Sequence, residues 1–268
     1  MKTQTIKERE TALVTGASTG IGLELARELA ANGHPLVIVS RDREKLATVA
    51  AQLRSEHGVP VLDHARDLSE AGAAEALWAD LSNAEIVVDM LVNNAGIGIY
   101  GEFHQQPLDA VTRMKMVNIV ALTSLTRLAL PGMLARGHGR ILNVASVVGY
   151  QPGGPGMAVY YATKSYVLSF SKGLARELDD TGVSVTALSP GVTKSSFEER
   201  SGAAATRLYR LLPQMSAKMV AKAAYRGMMR GRRVVIPGFG TKILAFAGEL
   251  PPRAIALEVN RWLLSRSM

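Results

Sequence analysis

Short apolar runs rich in β-branched residues alternate with segments of helical period along most of the chain. The runs are TALVTG (11–16), PLVIVS (35–40), VPVLDH (59–64), VVDMLVNN (87–94), GRILNVAS (139–146), VSVTALSP (183–190) and RRVVIPG (232–238). They lack the in–out alternation of a half-exposed sheet, as strands covered on both faces require. Between them lie helical patterns near 20–32, 42–56, 69–82, 107–136, 158–181 and 216–230. This alternation predicts one doubly wound α/β domain over residues 1–268, with about seven mostly parallel strands and helices on both faces.

Two stretches break the rhythm. Residues 193–214, TKSSFEERSGAAATRLYRLLPQ, mix small, charged and bulky apolar residues, the composition of a substrate loop or lid. Residues 239–268 form a C-terminal extension in which Ile255, Val259, Trp262 and Leu263 recur at helical spacing. That stripe is expected to be buried against the domain, a second subunit or a membrane surface.

At 268 residues and 47% hydrophobic composition, the chain can bury a substantial core, which excludes disordered and fibrous readings. There is no cysteine, so a disulfide framework, a thiolate metal site and a cysteine nucleophile are excluded. His34, His57, His64, His104 and His138 are scattered without ligand spacing; no metal site is expected, and they are read as solvated or capping residues. The opening MKTQTIKERE alternates charge and lacks the apolar core of a secretory signal. No uninterrupted apolar run approaches the roughly 18 residues of a membrane span, so a cytoplasmic protein is expected. The net charge of +8 is lopsided: residues 200–268 hold 13 Lys/Arg against 2 Asp/Glu, leaving the remainder slightly acidic. A basic end suits a solvated helix face, an anionic membrane or an anionic cofactor or substrate; nucleic acid is not the expected partner.

Candidate chemistry begins at the end of the first run, TGASTGIG (15–22). Gly16, Gly20 and Gly22 stand where the chain must leave a strand, turn tightly and start a helix with its backbone N–H groups aimed at an anion, and a pyrophosphate fits there. The spacing is G-x-x-x-G-x-G rather than the general dinucleotide G-x-G-x-x-G. About 20 residues on, a dinucleotide fold sets a group against the adenosine ribose, and here that point reads Ser40-Arg41. Serine does not repel a 2′-phosphate and arginine offers it a fork of charged donors, so NADP(H) is expected over NAD(H). Asp42, directly before a helical pattern, is read as an N-cap.

Residues 159–167, VYYATKSYV, place Tyr160 and Lys164 at i and i+4 on one helix face, with Tyr161 pointing elsewhere. Together with the glycine loop stand NNAG (93–96), Asn118 in MKMVNIVA, Ser146 in NVASVVG, YYATK (160–164) and SPG (189–191). In this order, and at close to this spacing, the chain resembles the short-chain dehydrogenases/reductases. The resemblance implies a Rossmann-type sheet and a catalytic tetrad of Asn118, Ser146, Tyr160 and Lys164. It also implies cofactor contacts from Gly16, Ser18, Thr19, Gly20, Ile21, Gly22, Ser40, Arg41, Asp67, Leu68, Asn94, Ala95, Gly96, Tyr160, Lys164, Pro190, Gly191 and Thr193. The chain departs from the family after the last of these motifs, reading PGVTKSS where many members read P-G-x-V-x-T.

Each role has a chemical reason. Hydride transfer to a carbonyl leaves an alkoxide that needs a proton, and a free phenol of pKa near 10 is a poor donor–acceptor near neutrality. The Lys164 ammonium, with the positive ring of an oxidised cofactor, is expected to pull the Tyr160 phenol down. Ser146 can donate a hydrogen bond to the substrate oxygen. The resemblance assigns Lys164 to the nicotinamide ribose and Asn118 to a water-linked proton relay; the residue alone reads as a buried asparagine serving helix structure. Tyr161, Tyr166 and Phe170 read as helix packing or a subunit interface.

Phe197, Leu208, Tyr209, Leu211, Leu212, Phe239, Leu244, Phe246 and Trp262 either wall an apolar pocket or fill a core, and the pocket reading favours a lipid, acyl or steroid-like carbonyl or its alcohol. The resemblance suggests a homodimer or homotetramer pairing the helices at 107–136 and 158–181, and the basic C-terminal region suggests weak peripheral membrane contact. A non-catalytic, NADP(H)-sensing or interaction protein on the same fold is the alternative, since fold does not fix function.

Overall fold

The computed structural model describes residues 9–250 and 252–265. The first half runs β1 (Ala12–Thr15), α1 (Gly20–Ala31), β2 (Leu36–Ser40), α2 (Arg43–His57), β3 (Val61–Ala65), α3 (Ala73–Asn83) and β4 (Met90–Asn93). A 28-residue rod follows, made of α4 (Leu108–Lys115), π turns over Met116–Ala121 and α5 (Leu122–Ala135). Then come β5 (Gly139–Val144), α6 (Ala158–Glu177) and β6 (Val183–Leu188). The last third carries β7 (Thr193–Lys194), α7 (Phe197–Ser201), α8 (Arg207–Leu211), β8 (Met215–Ser216), α9 (Ala217–Met229), β9 (Val234–Val235), α10 (Phe239–Glu249) and α11 (Arg253–Leu264).

Seven strands pair in the order β3-β2-β1-β4-β5-β6-β9, every pair parallel. The sequence expectation of a doubly wound sheet holds. Successive strand residues face opposite layers. Ala12, Val14, Ile38 and Val92 pack with α1, α2 and α9, whereas Leu13, Val37, Leu91 and Ile141 pack with α3, α5 and α6. Both faces are therefore dry, and the unbroken apolar runs have their cause. From β1 the chain winds outward to β3, then returns to start β4 on the other side of β1. That reversal opens a crevice beyond the carboxyl ends of β1 and β4.

Differences from the predicted elements have local reasons. The run 87–94 narrows to β4 because the Asp89 carboxylate accepts from the Thr11 N–H and fixes the chain ahead of the strand. The helix expected from residue 69 starts at Ala73, since Asp67 first makes a turn on Ser69 and Gly72 turns at φ 75°. The seventh strand shrinks to two residues at the sheet edge. By length and composition the Leu108–Ala135 rod could cross a membrane. In the fold, its Leu125, Ala129 and Met133 pack into the sheet layer. Asp42 is the N-cap expected, accepting from Lys45 N–H at 3.1 Å. His34 is not solvated: its ring bridges the Glu10 carbonyl and the Tyr225 hydroxyl.

The domain itself covers one residue of the apolar stripe expected in the last helix. Only Leu263 of the four is buried, while Ile255, Val259 and Trp262 face solvent. The inward face of α11 is instead Asn260, Leu263 and Leu264, because Asn260 donates to the Gly153 carbonyl and fixes the helix rotation.

Candidate active site

The glycine loop between β1 and α1 is shaped by close approach. Gly16 and Gly20 turn with φ of 67° and 58°, where any side chain is strained. A Cβ on Gly22 would lie 2.2 Å from the Gly16 carbonyl oxygen and 2.3 Å from Asn94 Nδ2. Thr19, the N-cap of α1, is extended and makes no side-chain cap bond, so the first N–H groups of the helix face the crevice without a side-chain partner. This cradle fits a diphosphate. The loop is braced from behind: Thr15 Oγ1 accepts from the N–H groups of Asn94 and Ala95, and Asn94 Nδ2 donates to the Thr15 and Gly16 carbonyls. Asn94 lines the crevice, but its amide is committed to this brace.

Ser18, Thr19, Gly20, Ile21, Ser40, Arg41, Asp67 and Leu68 lie along one end of a cavity of about 590 Å³. Ser40 donates to Ser18 Oγ at 2.9 Å, tying the second strand to the glycine loop. Among the described residues no carboxylate pairs with the Arg41 guanidinium at ion-pair distance. Burial pushes the Asp67 carboxyl up. Hydrogen bonds from Ser69, followed by the charges of Arg113 and Arg41, hold it below its ordinary value nonetheless. Arg66 and Arg113 also line this end, paired with Asp80 and Asp67. Neither was singled out in the sequence. Arg66 could have been, since it ends the third strand beside Asp67, whereas Arg113 reaches Asp67 only through the fold.

At the other end, Ser146, Tyr160, Lys164 and Gly96 converge. Ser146 follows β5 and caps the short turn after it, accepting from Val148 N–H at 3.3 Å. Its hydroxyl lies beside the Tyr160 phenol at the same end of the cavity. Lys164, one helical turn beyond Tyr160, donates from Nζ to the Val144 carbonyl at 2.8 Å and stands 5.8 Å from the centre of the Tyr160 ring. A Cβ on Gly96 would come within 3.5 Å of that Nζ.

Among the chain's own groups, burial outweighs charge at the Tyr160 phenol. Burial pushes the Tyr160 phenol well above its usual value, opposed by the neighbouring Ser146 hydroxyl. The same dry surroundings lower Lys164 to about 8. Desolvation outweighs the lysine's charge because Nζ is turned to a backbone carbonyl rather than to the phenol. A phenol that keeps its proton is the form a reductase needs for its acid.

Asn118 sits in the π turns, which set it facing the strand end. Its Oδ1 accepts from Ile97 N–H at 2.8 Å, and its Nδ2 donates to the Ile97 carbonyl and to Thr163 Oγ1. The side chain thus holds the segment after NNAG against α6. Pro190 accepts from Val147 N–H, and Thr193 donates to the Gly191 carbonyl at 3.0 Å. A Cβ on Gly191 would meet Thr241 Oγ1 at 2.6 Å, so α10 closes directly over this turn.

The substrate end is lined by Phe197, Leu208, Tyr209, Leu244 and Leu263, with Tyr161 among them. Phe197 packs on Tyr160 with ring centres 5.3 Å apart. Tyr161 therefore does more than pack its helix: it forms part of the wall. Tyr166 and Phe170 stack on the outer face of α6. Leu211, Phe239, Phe246 and Trp262 lie outside the cavity and are exposed, and Leu212 packs in the adjoining core. The pocket reading fails for these five, and Leu212 fills the core as the other reading has it.

A sequence profile described as "short chain dehydrogenase" matches residues 10–205. The chain belongs to the short-chain dehydrogenase/reductase family. Among its relatives, a very-long-chain 3-oxoacyl-CoA reductase of Anas platyrhynchos is 38% identical over 201 residues, 70% of this chain. The chain spans only 64% of that protein's length. Of solved structures, a short-chain dehydrogenase from Sphingobium yanoikuyae in complex with NADPH is 36% identical, with a TM-score of 0.80 over 89% of this chain and 92% of that one. A bulky-bulky ketone specific alcohol dehydrogenase from Comamonas testosteroni is 31% identical, with a TM-score of 0.76 over 92% and 96%.

Proposed function

We propose that this short-chain dehydrogenase/reductase is an NADP(H)-dependent oxidoreductase that interconverts a bulky apolar ketone and its secondary alcohol. The observation that carries the reading is the convergence of Ser146, Tyr160 and Lys164 at one end of the same cavity whose other end holds the glycine loop and Arg41. Bound along that cavity, a reduced nicotinamide supplies the hydride. The chain's own residues do the rest. Gly16, Gly20 and Gly22 let backbone N–H groups approach a diphosphate, and Arg41 meets a 2′-phosphate beside the adenosine ribose. Ser146 donates to the carbonyl oxygen, and Tyr160 Oη gives it a proton as charge develops there. Lys164 and Asn118 position the floor of the site, Lys164 through the Val144 carbonyl and Asn118 by clamping the backbone of Ile97.

Phe197, Leu208, Leu244 and Leu263 support the apolar substrate, as does the likeness to a protein specific for bulky-bulky ketones. We place the protein in the cytoplasm as a homodimer or homotetramer pairing the outer faces of α4–α5 and α6, where Val120, Leu134 and Tyr166 are exposed.

Cofactor choice is tested by titrating NADPH and NADH into the wild type and Arg41→Ala. A charge-assisted bond is worth roughly 1.5–3 kcal/mol, so NADPH binding should weaken about 10- to 100-fold while NADH binding stays put. Equal loss for both cofactors, or none, defeats the phosphate assignment. A panel of ketones read by NADPH oxidation tests the substrate class, and preference for small polar carbonyls would defeat it.

A further inference from the structure

Tyr161 and Tyr209 bring two further phenols to the substrate end of the cavity, beside the Tyr160 phenol that the reaction uses. Tyr161 stands on α6 directly after Tyr160 and is only 3% exposed. Its ring is pressed against the Gly154 backbone, where a Cβ would come within 2.4 Å of Cε2 and 2.5 Å of Cζ, so only glycine leaves the ring that place. Tyr209 reaches the same cavity from α8. Among the described residues neither hydroxyl has a hydrogen-bond partner, and neither is sealed inside packed protein. An unpaired hydroxyl that is not sealed in, on a side chain lining a cavity, is open to that cavity.

Other polar side chains at this end are turned to the protein. Gln151 donates to the Leu244 carbonyl, Asn260 donates to the Gly153 carbonyl, and Ser201 donates to the Glu198 carbonyl. Burial pushes both phenols well above their ordinary value. Tyr160 adds to the rise at Tyr161, and Tyr160, Glu198 and Tyr161 add to it at Tyr209. Both groups therefore keep their protons near neutrality and can donate, and their mutual influence sets the three phenols in one cluster. The Glu198 charge felt there disfavours an anion, so the atom that fits is an uncharged acceptor oxygen.

We propose that Tyr161 and Tyr209 form a second oxygen subsite, which selects ketones carrying an uncharged acceptor oxygen within a few bonds of the carbonyl that is reduced. Such selection rests on the reductase reading above, because Tyr160 marks the carbonyl that reacts; occupancy of the subsite does not. A wholly aliphatic ketone would press methylenes on two unpaired hydroxyls. A site built to bond a substrate oxygen rejects the analogue lacking it far more strongly than an apolar wall rejects a change of size.

The test compares the ethyl ester of a 3-oxo fatty acid with a dialkyl ketone of the same length in wild type, Tyr161→Phe, Tyr209→Phe and the double variant. Each kcat/KM is read by NADPH oxidation, and the ester-to-ketone ratio is followed across the variants, which cancels the greater intrinsic reactivity of the 3-oxo carbonyl. That ratio should fall about tenfold or more in the double variant and by a smaller factor in each single one. Phenylalanine keeps its ring on Gly154, so melting temperatures should match wild type or rise. An unchanged ratio in the double variant overturns the subsite and leaves the reductase reading standing, since both ketones are still reduced. A lowered melting temperature in either single variant also overturns it, because the hydroxyl would then be bonded within the fold. If neither ketone is reduced, the reductase reading fails, and calorimetric titration of the same two compounds into the NADPH-saturated protein decides the subsite. Tighter binding of the ester in wild type, lost in the double variant, supports it; equal binding of the two compounds overturns it.

Discussion

At the scale of single residues, close contacts and burial decide most of what the site can do. Gly22 has no room for a methyl group, with Gly16 O and Asn94 Nδ2 both under 2.4 Å from where its Cβ would stand. Gly22→Ala should force the glycine loop apart, costing about 1–3 kcal/mol of stability and abolishing NADPH binding measured by fluorescence. Lys164 supplies a pH signature. Its amine is lowered to about 8 in the fold from an ordinary 10.5, so between those values the unfolded chain binds a proton that the folded chain does not. Stability of the cofactor-free protein should therefore rise from pH 8 to 10.5 relative to Lys164→Met, and the difference should be flat below pH 8. A melting comparison of the two proteins across that range reads it directly. Much at this scale was legible in the sequence: the glycine spacing, the choice of Tyr160 rather than Tyr161 as the neighbour of Lys164, and the place of Arg41. The depth of burial at Tyr160 was not, nor the bond from Lys164 Nζ to the Val144 carbonyl, because sequence spacing shows only that a lysine is near.

At the scale of elements, the period of the apolar residues carried the assignment, and side-chain bonds moved the boundaries. Neither the π turns at Met116–Ala121 nor the rotation of α11 leaves a trace in hydrophobic spacing, since both are set by asparagines binding distant backbone, Asn118 to Ile97 and Asn260 to Gly153. This is why spacing alone did not single out Asn260, Leu263 and Leu264 as the face that α11 turns inward. Asn118→Leu removes the partner of both the N–H and the C=O of Ile97 in a dry setting. A loss of about 3 kcal/mol in denaturant unfolding is expected, with NADPH turnover falling in the fraction that stays folded. An unfolding curve matching wild type would show that the clamp is dispensable.

At the scale of the molecule, one crevice at the reversal between β1 and β4 collects residues from every third of the chain: Arg41 from β2's end, Ser146 after β5, Leu263 from α11. The doubly wound order was foreseeable from strand–helix alternation because parallel pairing leaves few alternatives. Which C-terminal residues reach the crevice was not, since α10 and α11 follow the sheet's rhythm no longer. A ligand spanning so many elements should couple strongly to folding. NADPH at a hundredfold excess over its dissociation constant should add about 2.7 kcal/mol of stability, read as a raised melting temperature, and Arg41→Ala should lose part of that gain.

The central claim is that the buried, protonated Tyr160 phenol delivers a proton to the oxygen of a bulky ketone. It is tested most directly by NADPH oxidation with such a ketone, comparing wild type with Tyr160→Phe after NADPH affinity has been measured for both. The expected result is unchanged affinity and a turnover lower by about 10²- to 10⁴-fold. Turnover equal to wild type in the phenylalanine variant would contradict it.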